Sequence, residues 1–125
     1  MSHPFNVKKR IHSFIYAWKG IRSLFSEEQN AWIHAGATCL VIFSGCFFRI
    51  TSGEWIVLLL CIGMVLMAEA INTSIERLVD LVSPEFHPLA GKVKDLAAGA
   101  VLIGAVIAAI IGLIIFVPYG IRLFI

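Results

Sequence analysis

The chain has 125 residues, of which 59% are hydrophobic and 14% are charged, and its mean hydropathy is +0.91. A soluble domain usually carries about 25% charged residues, so this composition excludes an ordinary soluble enzyme and predicts an integral membrane protein. We expect about three membrane spans and no separate soluble catalytic domain, so any chemistry must use residues on or beside the spans.

The N-terminal segment, residues 5–25, is predicted to be an amphipathic helix, because large apolar side chains recur there at helical spacing. Basic and aromatic residues on such a helix favour a position in the membrane interface, with a cytosolic helix packed on the bundle as the alternative. A capping-box pattern over 26–29 predicts a break near Ser26. The first span is then expected over residues 31–49.

The second span is predicted over residues 54–82, after a turn at 51–54 that carries another capping-box pattern. At 1.5 Å per residue this helix is longer than a bilayer core requires, so its C-terminal part should emerge into water or headgroups. Ser83 and Pro84 should end it.

The third span is predicted over residues 91–117, ending before Pro118. Small residues recur every four positions along it, which allows close packing against another helix. The distribution of basic residues along the whole chain predicts that the N-terminus and the 83–95 loop lie in the cytoplasm. Five of these residues precede the first span and form too small a basic surface to predict nucleic-acid binding, namely Lys8, Lys9, Arg10, Lys19 and Arg22.

The second span carries a polar face. Glu69, Asn72, Glu76 and Asp80 follow one another in steps of three, four and four residues, which puts them on one side of a helix. A carboxylate at membrane depth costs at least a few kcal/mol and usually marks a functional site. Glu69 should lie about 9 Å inside the bilayer boundary, with Glu76 and Asp80 in a wetter environment.

Further charged residues are expected at the same cytoplasmic boundary: Glu27, Glu28, Glu85, His87, Lys92, Lys94 and Asp95. Carboxylates that hold Mg²⁺, with a lysine beside them, suit a nucleotide phosphate site. An embedded carboxylate can accept a proton from an alcohol. The glycine-rich phosphate motif of soluble nucleotide enzymes does not occur, so a nucleotide enzyme here would need another architecture.

Structural roles compete with these functional interpretations. Glu76 and Arg77 could form an ordinary hydrated helix end, and Asn72 could be a hydrogen-bonding contact between helices. His34 could snorkel or hydrogen-bond near the start of its span. A non-enzymatic protein, such as an ion- or proton-coupled membrane subunit, is the alternative function, with Glu69 as its ion site.

The polar pattern resembles that of the bacterial integral-membrane diacylglycerol kinase family, which includes undecaprenol kinases. The residues that carry the resemblance are Glu69-Ala-Ile-Asn72-Thr-Ser-Ile-Glu76, Val79-Asp80, His87-x-Leu89-x-Gly91-x-x-Lys94-Asp95, Ala100-Val-Leu, Tyr16-Ala-Trp18-x-Gly20 and Glu28. The resemblance implies an all-α fold in the bacterial inner membrane, a homotrimer of three-span chains with an interfacial N-terminal helix. It also implies transfer of the ATP γ-phosphate to a lipid alcohol with Mg²⁺.

The same resemblance assigns expected roles to individual residues. Glu69 would be the general base, Asn72 would support it, and Glu28 and Glu76 would hold the metal ion. The remaining nucleotide-site candidates are Lys9, Tyr16, Asp80, Glu85, His87, Lys94 and Asp95, with Lys8 and Arg10 as alternatives to Lys9.

The substrate branch is indicated by three short segments, Asn30-Ala-Trp-Ile-His34, Leu81-Val-Ser-Pro84 and His87-Pro88. They resemble the undecaprenol branch of the family more than the diacylglycerol branch. Undecaprenol is therefore slightly favoured as the acceptor, and diacylglycerol remains the alternative.

Overall fold

A computed structural model describes residues 3–125, and these residues form four α-helices and no strand. The helices are α1 Val7–Glu27, α2 Gln29–Phe48, α3 Ser52–Val82 and α4 Pro88–Phe124. Helices α2, α3 and α4 are each long and apolar enough to cross a membrane. The predicted all-α fold with three spans and one N-terminal helix is confirmed.

Helix α1 is amphipathic and lies largely outside the packed core. Its first turn is capped by Asn6, whose side-chain oxygen accepts the Lys9 backbone N–H at 3.3 Å. Leu24 is its one buried residue, whereas Phe14 and Trp18 are 77% and 66% exposed. Apolar side chains on an exposed helix face suit contact with lipid at the membrane interface.

The break between α1 and α2 lies at Glu28, two residues beyond Ser26, near which the sequence predicts it. Ser26 remains helical, and its hydroxyl donates to the Ser23 carbonyl at 3.3 Å instead of capping the next helix. Glu28 adopts an extended backbone, with φ −113° and ψ 119°, and makes no side-chain capping bond. One extended residue therefore separates the two helices.

A tight turn joins α2 to α3. Arg49 adopts a left-handed conformation with φ 52° and ψ 53°, and the Ile50 N–H donates to the Gly45 carbonyl at 3.2 Å. This bond satisfies a carbonyl that the end of the helix leaves free. The Thr51 hydroxyl oxygen then accepts the Glu54 N–H at 3.2 Å, which confirms the predicted N-cap of the second span.

Helix α4 packs along α3 and begins earlier than residue 91. Pro88 occupies its first turn, where a missing N–H costs nothing, and His87 Nδ1 accepts the Leu89 N–H at 3.1 Å. Small residues allow the close approach of the two helices. Gly104 of α4 is buried against α3, where a Cβ built on it would lie 4.0 Å from Val65 Cγ2.

Helix α4 also ends later than predicted, because Pro118 lies inside it and the helix continues to Phe124. A proline ring removes one helical hydrogen bond, but membrane helices tolerate this where neighbouring groups hold the segment. Here the Tyr119 hydroxyl donates to both carboxylate oxygens of Glu54 on α3, at 2.8 and 3.1 Å. The Arg122 guanidinium lies 5.7 Å from the Tyr119 ring centre. These contacts hold the last turns against α3.

Candidate active site

The polar face of α3 passes from buried to exposed along the helix. Glu69 is 2% exposed and Asn72 is 6% exposed, whereas Glu76 is half-buried and Asp80 is exposed. The order follows the helical spacing, since each step moves about one turn toward the C-terminal end of α3. One side of α3 therefore carries an embedded carboxylate and, two turns further on, a pair of wetter ones.

The Glu69 carboxylate lies beside His34 of α2, with His34 Nε2 3.4 Å from Glu69 Oε2. The His34 side chain is 19% exposed and that of Glu69 is 3% exposed. No hydrogen bond to the Glu69 carboxylate is recorded within residues 3–125. The imidazole is therefore the polar neighbour of this buried group in the described part of the chain.

Asn72 lies between the embedded and the wetter carboxylates. Its Nδ2 donates to Glu76 Oε1 at 3.4 Å, a long hydrogen bond within one helix face. Its Oδ1 is buried and has no hydrogen-bond partner within residues 3–125, and the same is true of the Thr73 hydroxyl. Buried polar atoms normally have partners, so an unpartnered carbonyl oxygen is suited to receive a donor from a bound molecule.

Arg77 joins α3 to α1 at this end of the bundle. Its Nη2 lies 2.7 Å from Glu27 Oε2 and 3.3 Å from Glu28 Oε1, and its Nη1 donates to the Ser23 hydroxyl at 3.1 Å. Glu28 is thereby brought to the same end of α3 as Glu76.

Lys94 joins α4 to the same face, with its Nζ 2.7 Å from Asp80 Oδ1. Asp95, the next residue, is exposed on the first turns of α4. The ammonium and both carboxylates thus lie where a phosphate or a metal–phosphate group from the aqueous side could reach them.

Four other candidate residues make no ion pair or side-chain hydrogen bond with this cluster among residues 3–125. Tyr16 is 66% exposed on α1, and the Lys19 ammonium lies over its ring, 5.7 Å from the ring centre. Lys9 lies two turns nearer the N-terminus, about 21 Å along the helix from Ser23. In the α3–α4 loop, Glu85 is exposed and its backbone carbonyl accepts the Ser83 hydroxyl at 3.0 Å. The fourth candidate is His87, whose ring caps α4.

Oxygen donors are available for a divalent cation at this end of the bundle. Within residues 3–125 no group of three His, Cys, Asp or Glu side chains is assembled to hold a metal. Mg²⁺ commonly uses only one or two carboxylates and takes its other ligands from phosphates and water. Glu28 and Glu76 are oxygen donors that a cation arriving with a nucleotide could use.

An apolar cavity of about 420 Å³ is lined by residues of α2, α3 and α4. His34 lies at one end of it, and Phe48 and Phe116 lie at the other. Thr38 and Ser44 are its other polar lining residues, and both hydroxyls donate to carbonyls of their own helix. Since no further polar group faces it, the cavity suits a hydrocarbon chain or an apolar side chain.

Two residues of this arrangement were not singled out from the sequence. The sequence alone is equally compatible with a snorkelling or locally bonded His34 and with Arg77 in a hydrated helix end. Both make their contacts with residues more than 30 positions away, so helical spacing alone could not show them. The available signal was an imidazole within an apolar helix, which normally faces a polar partner.

The fold and the site define an all-helical membrane protein with an embedded carboxylate beside a charged surface cluster. Residues 15–116 match the family model described as prokaryotic diacylglycerol kinase. The chain is 41% identical over 116 residues to the undecaprenol kinase of Bacillus subtilis, covering 93% of this chain and 94% of that protein.

Two further relatives carry the other substrate name. The diacylglycerol kinase of Synechocystis is 37% identical over 107 residues, covering 85% of this chain and 61% of that protein. The diacylglycerol kinase of Escherichia coli K12 is 30% identical over 95 residues, covering 76% and 78%. The chain therefore belongs to the prokaryotic diacylglycerol kinase family and is a lipid kinase, which argues against the non-enzymatic alternative.

Proposed function

We propose that this chain transfers the γ-phosphate of ATP to the hydroxyl of undecaprenol, as a homotrimer in the bacterial inner membrane. The observation that carries the proposal is the burial of Glu69 on a span, at 2% exposure, beside wetter charged groups at the same end. The choice of undecaprenol is supported by the relative of that name, which aligns with nearly the whole chain at 41% identity.

In this proposal Glu69 is the general base. It takes the proton as the O–H bond of the lipid alcohol breaks, and the alcohol oxygen forms a bond to the γ-phosphorus. The bond between that phosphorus and the bridging oxygen of ADP breaks, leaving lipid phosphate and ADP. A base at this depth can meet a hydroxyl that enters sideways from the bilayer, while the nucleotide approaches from water.

The nucleotide would be held by the exposed end of the cluster. Glu28 and Glu76 would hold Mg²⁺, which when bound offsets the negative charge of the phosphates. Lys94 and Asp95 would contact the nucleotide, with Asp80 fixing the Lys94 ammonium through their 2.7 Å ion pair. The Asn72 amide, already bonded to Glu76, would keep that carboxylate in place.

In a trimer, residues that lie apart in one chain could meet across a subunit interface. Lys9 and Tyr16 lie on the exposed part of α1, remote from the cluster, so a nucleotide contact from either would be made in a neighbouring subunit. Large apolar side chains cover the outer faces of α2 and α4, and some of them would be covered by neighbouring chains and the rest by lipid.

The test offers undecaprenol and diacylglycerol side by side to the purified protein in detergent micelles, with ATP and Mg²⁺. The wild type should phosphorylate undecaprenol faster, and Glu69→Gln should lower kcat by about 10²- to 10⁴-fold, as expected for loss of a general base. The matched control is Glu54→Gln, the same change at the opposite end of α3, which should leave turnover near that of the wild type.

The outcomes separate the parts of the proposal. Faster transfer to diacylglycerol would replace the acceptor, a possibility that two relatives of that name support. Near-normal turnover by a folded Glu69→Gln protein would refute the assignment of the base. Chemical crosslinking of the detergent-solubilised protein should stop at three chains if the trimer is correct.

A further inference from the structure

Among the described residues, His34 is the side chain of another helix that lies within 4.0 Å of the Glu69 carboxylate, and the proposed reaction gives it no role. A buried carboxylate without a polar partner is costly, because the protein does not replace the water that solvates its oxygens. His34 Nε2 lies 3.4 Å from Glu69 Oε2, across the interface between α2 and α3. The pairing joins residues 35 positions apart in the sequence.

The position of His34 within α2 is itself unusual for a packing residue. It lies about one and a half turns after Gln29, where α2 begins, in a helix whose other interior residues are mostly apolar. Ionisable side chains in membrane helices are rare and generally face a polar partner or a cavity. The His34 ring does both, since it contacts Glu69 and lies at one end of the apolar cavity.

The backbone contact of His34 does not account for its imidazole ring. The Thr38 hydroxyl donates to the His34 backbone carbonyl at 2.7 Å, an ordinary contact within a helix that any residue at position 34 could accept. The imidazole itself therefore has the Glu69 carboxylate as its recorded polar partner among the described residues.

We infer that His34 is a positioning residue for the lipid kinase reaction, holding one oxygen of Glu69 so that the other faces the acceptor hydroxyl. This inference rests on the proposed role of Glu69 as the base. Oε2 is the oxygen that lies 3.4 Å from the imidazole nitrogen, so Oε1 remains for the proton of the alcohol. A carboxylate fixed in this way needs no reorientation when the substrate arrives.

The geometry distinguishes two conservative replacements. The side-chain amide of glutamine can place an N–H near the former Nε2, whereas the shorter asparagine amide lies near the former Nδ1. His34→Gln should therefore retain part of the contact with Glu69, and His34→Asn and His34→Leu should lose it. Ser44→Ala is the control, because it removes a hydroxyl from the same cavity about 15 Å further along α2.

The experiment measures kcat and the KM values for ATP and for undecaprenol in micelles, with the wild type in the same series. His34→Leu and His34→Asn should lower kcat by about 10- to 100-fold with both KM values within about twofold, as for a base that is present but misplaced. His34→Gln should recover at least a third of wild-type kcat. Ser44→Ala should match the wild type.

Three results would overturn the inference while leaving the proposed function intact. The first is a His34→Leu variant with wild-type kcat, and the second is a His34→Gln variant whose kcat is as low as that of His34→Leu. The third is a set of His34 variants that change only a KM value. In each case the wild type has normal activity. An inactive wild type would instead contradict the proposed function. Thermal unfolding and crosslinking of each variant show whether a loss of activity comes from misfolding. If His34→Leu is inactive because it does not fold, the kcat of His34→Gln tests the inference.

Discussion

Arg77 is predicted to compete with the metal ion for Glu28. The guanidinium lies 3.3 Å from Glu28 Oε1, the carboxylate proposed as a Mg²⁺ ligand, and 2.7 Å from Glu27 Oε2. A carboxylate oxygen that turns toward a cation bound with ATP must weaken or leave its contact with Arg77. Replacing this arginine with glutamine should therefore make Mg²⁺ bind more readily.

The exposure of the pair limits the size of this effect. The Arg77 and Glu28 side chains are 47% and 28% exposed, so water screens their attraction. Pairs of this kind contribute about 0.2–1 kcal/mol. Since 1.4 kcal/mol corresponds to about tenfold in an equilibrium constant, Arg77→Gln should lower the apparent KM for Mg²⁺ by about 1.4- to 5-fold.

The assay is a Mg²⁺ titration of initial phosphorylation rates at saturating ATP and lipid, compared between wild type and Arg77→Gln. The control is Arg22→Gln, which removes the same charge from α1 at a residue with no carboxylate within 4.0 Å among the described residues. A raised KM for Mg²⁺ in Arg77→Gln would refute competition and show that Arg77 holds Glu28 in place for the metal. An unchanged KM in both variants would show that Arg77 does not compete with the metal ion for Glu28.

Two further predictions concern the opposite end of the bundle. A Cβ at Gly45 would lie 2.6 Å from Cη2 of the Trp55 ring, so Gly45→Ala should destabilise the protein by about 1–3 kcal/mol. At Gly36 of the same helix an added Cβ would have nothing within 4 Å, so Gly36→Ala should stabilise the protein by about 0.5–1 kcal/mol. Equal unfolding temperatures of the two variants in detergent would contradict this packing. Tyr119→Phe removes the bonds to Glu54 and should speed hydrogen exchange over residues 119–124 without lowering turnover; unchanged exchange would show that these bonds do not hold the end of α4.

Local chemistry made much of the fold predictable. The spans follow from apolar length, and the start of α3 follows from the Thr51 side chain, whose contact with the Glu54 N–H depends only on residues three apart. The gradient from Glu69 to Asp80 also follows from spacing, because the helix fixes their order along one face.

The failures of prediction have identifiable physical causes. The capping pattern at Ser26 competes with continued helix, and the bond from its hydroxyl to the Ser23 carbonyl lets α1 run on to Glu27. Pro118 does not end α4, because the Tyr119 hydroxyl contacts Glu54, 65 positions earlier in the chain, and holds the next turn. Both outcomes depend on which of two local alternatives the surrounding structure supports, and spacing within one segment carries no such information.

The choice of partner at each depth is consistent with the chemistry proposed for each carboxylate. The permanent cations Arg77 and Lys94 contact Glu28 and Asp80, where partial exposure reduces the desolvation cost of a charge pair. Glu69 instead faces an imidazole, which can be neutral and still donate one N–H. A permanent cation beside a buried carboxylate would favour its ionised form and make it a poorer proton acceptor. A neutral histidine can therefore lie beside the base without adding a positive charge there, unlike an arginine or lysine at position 34.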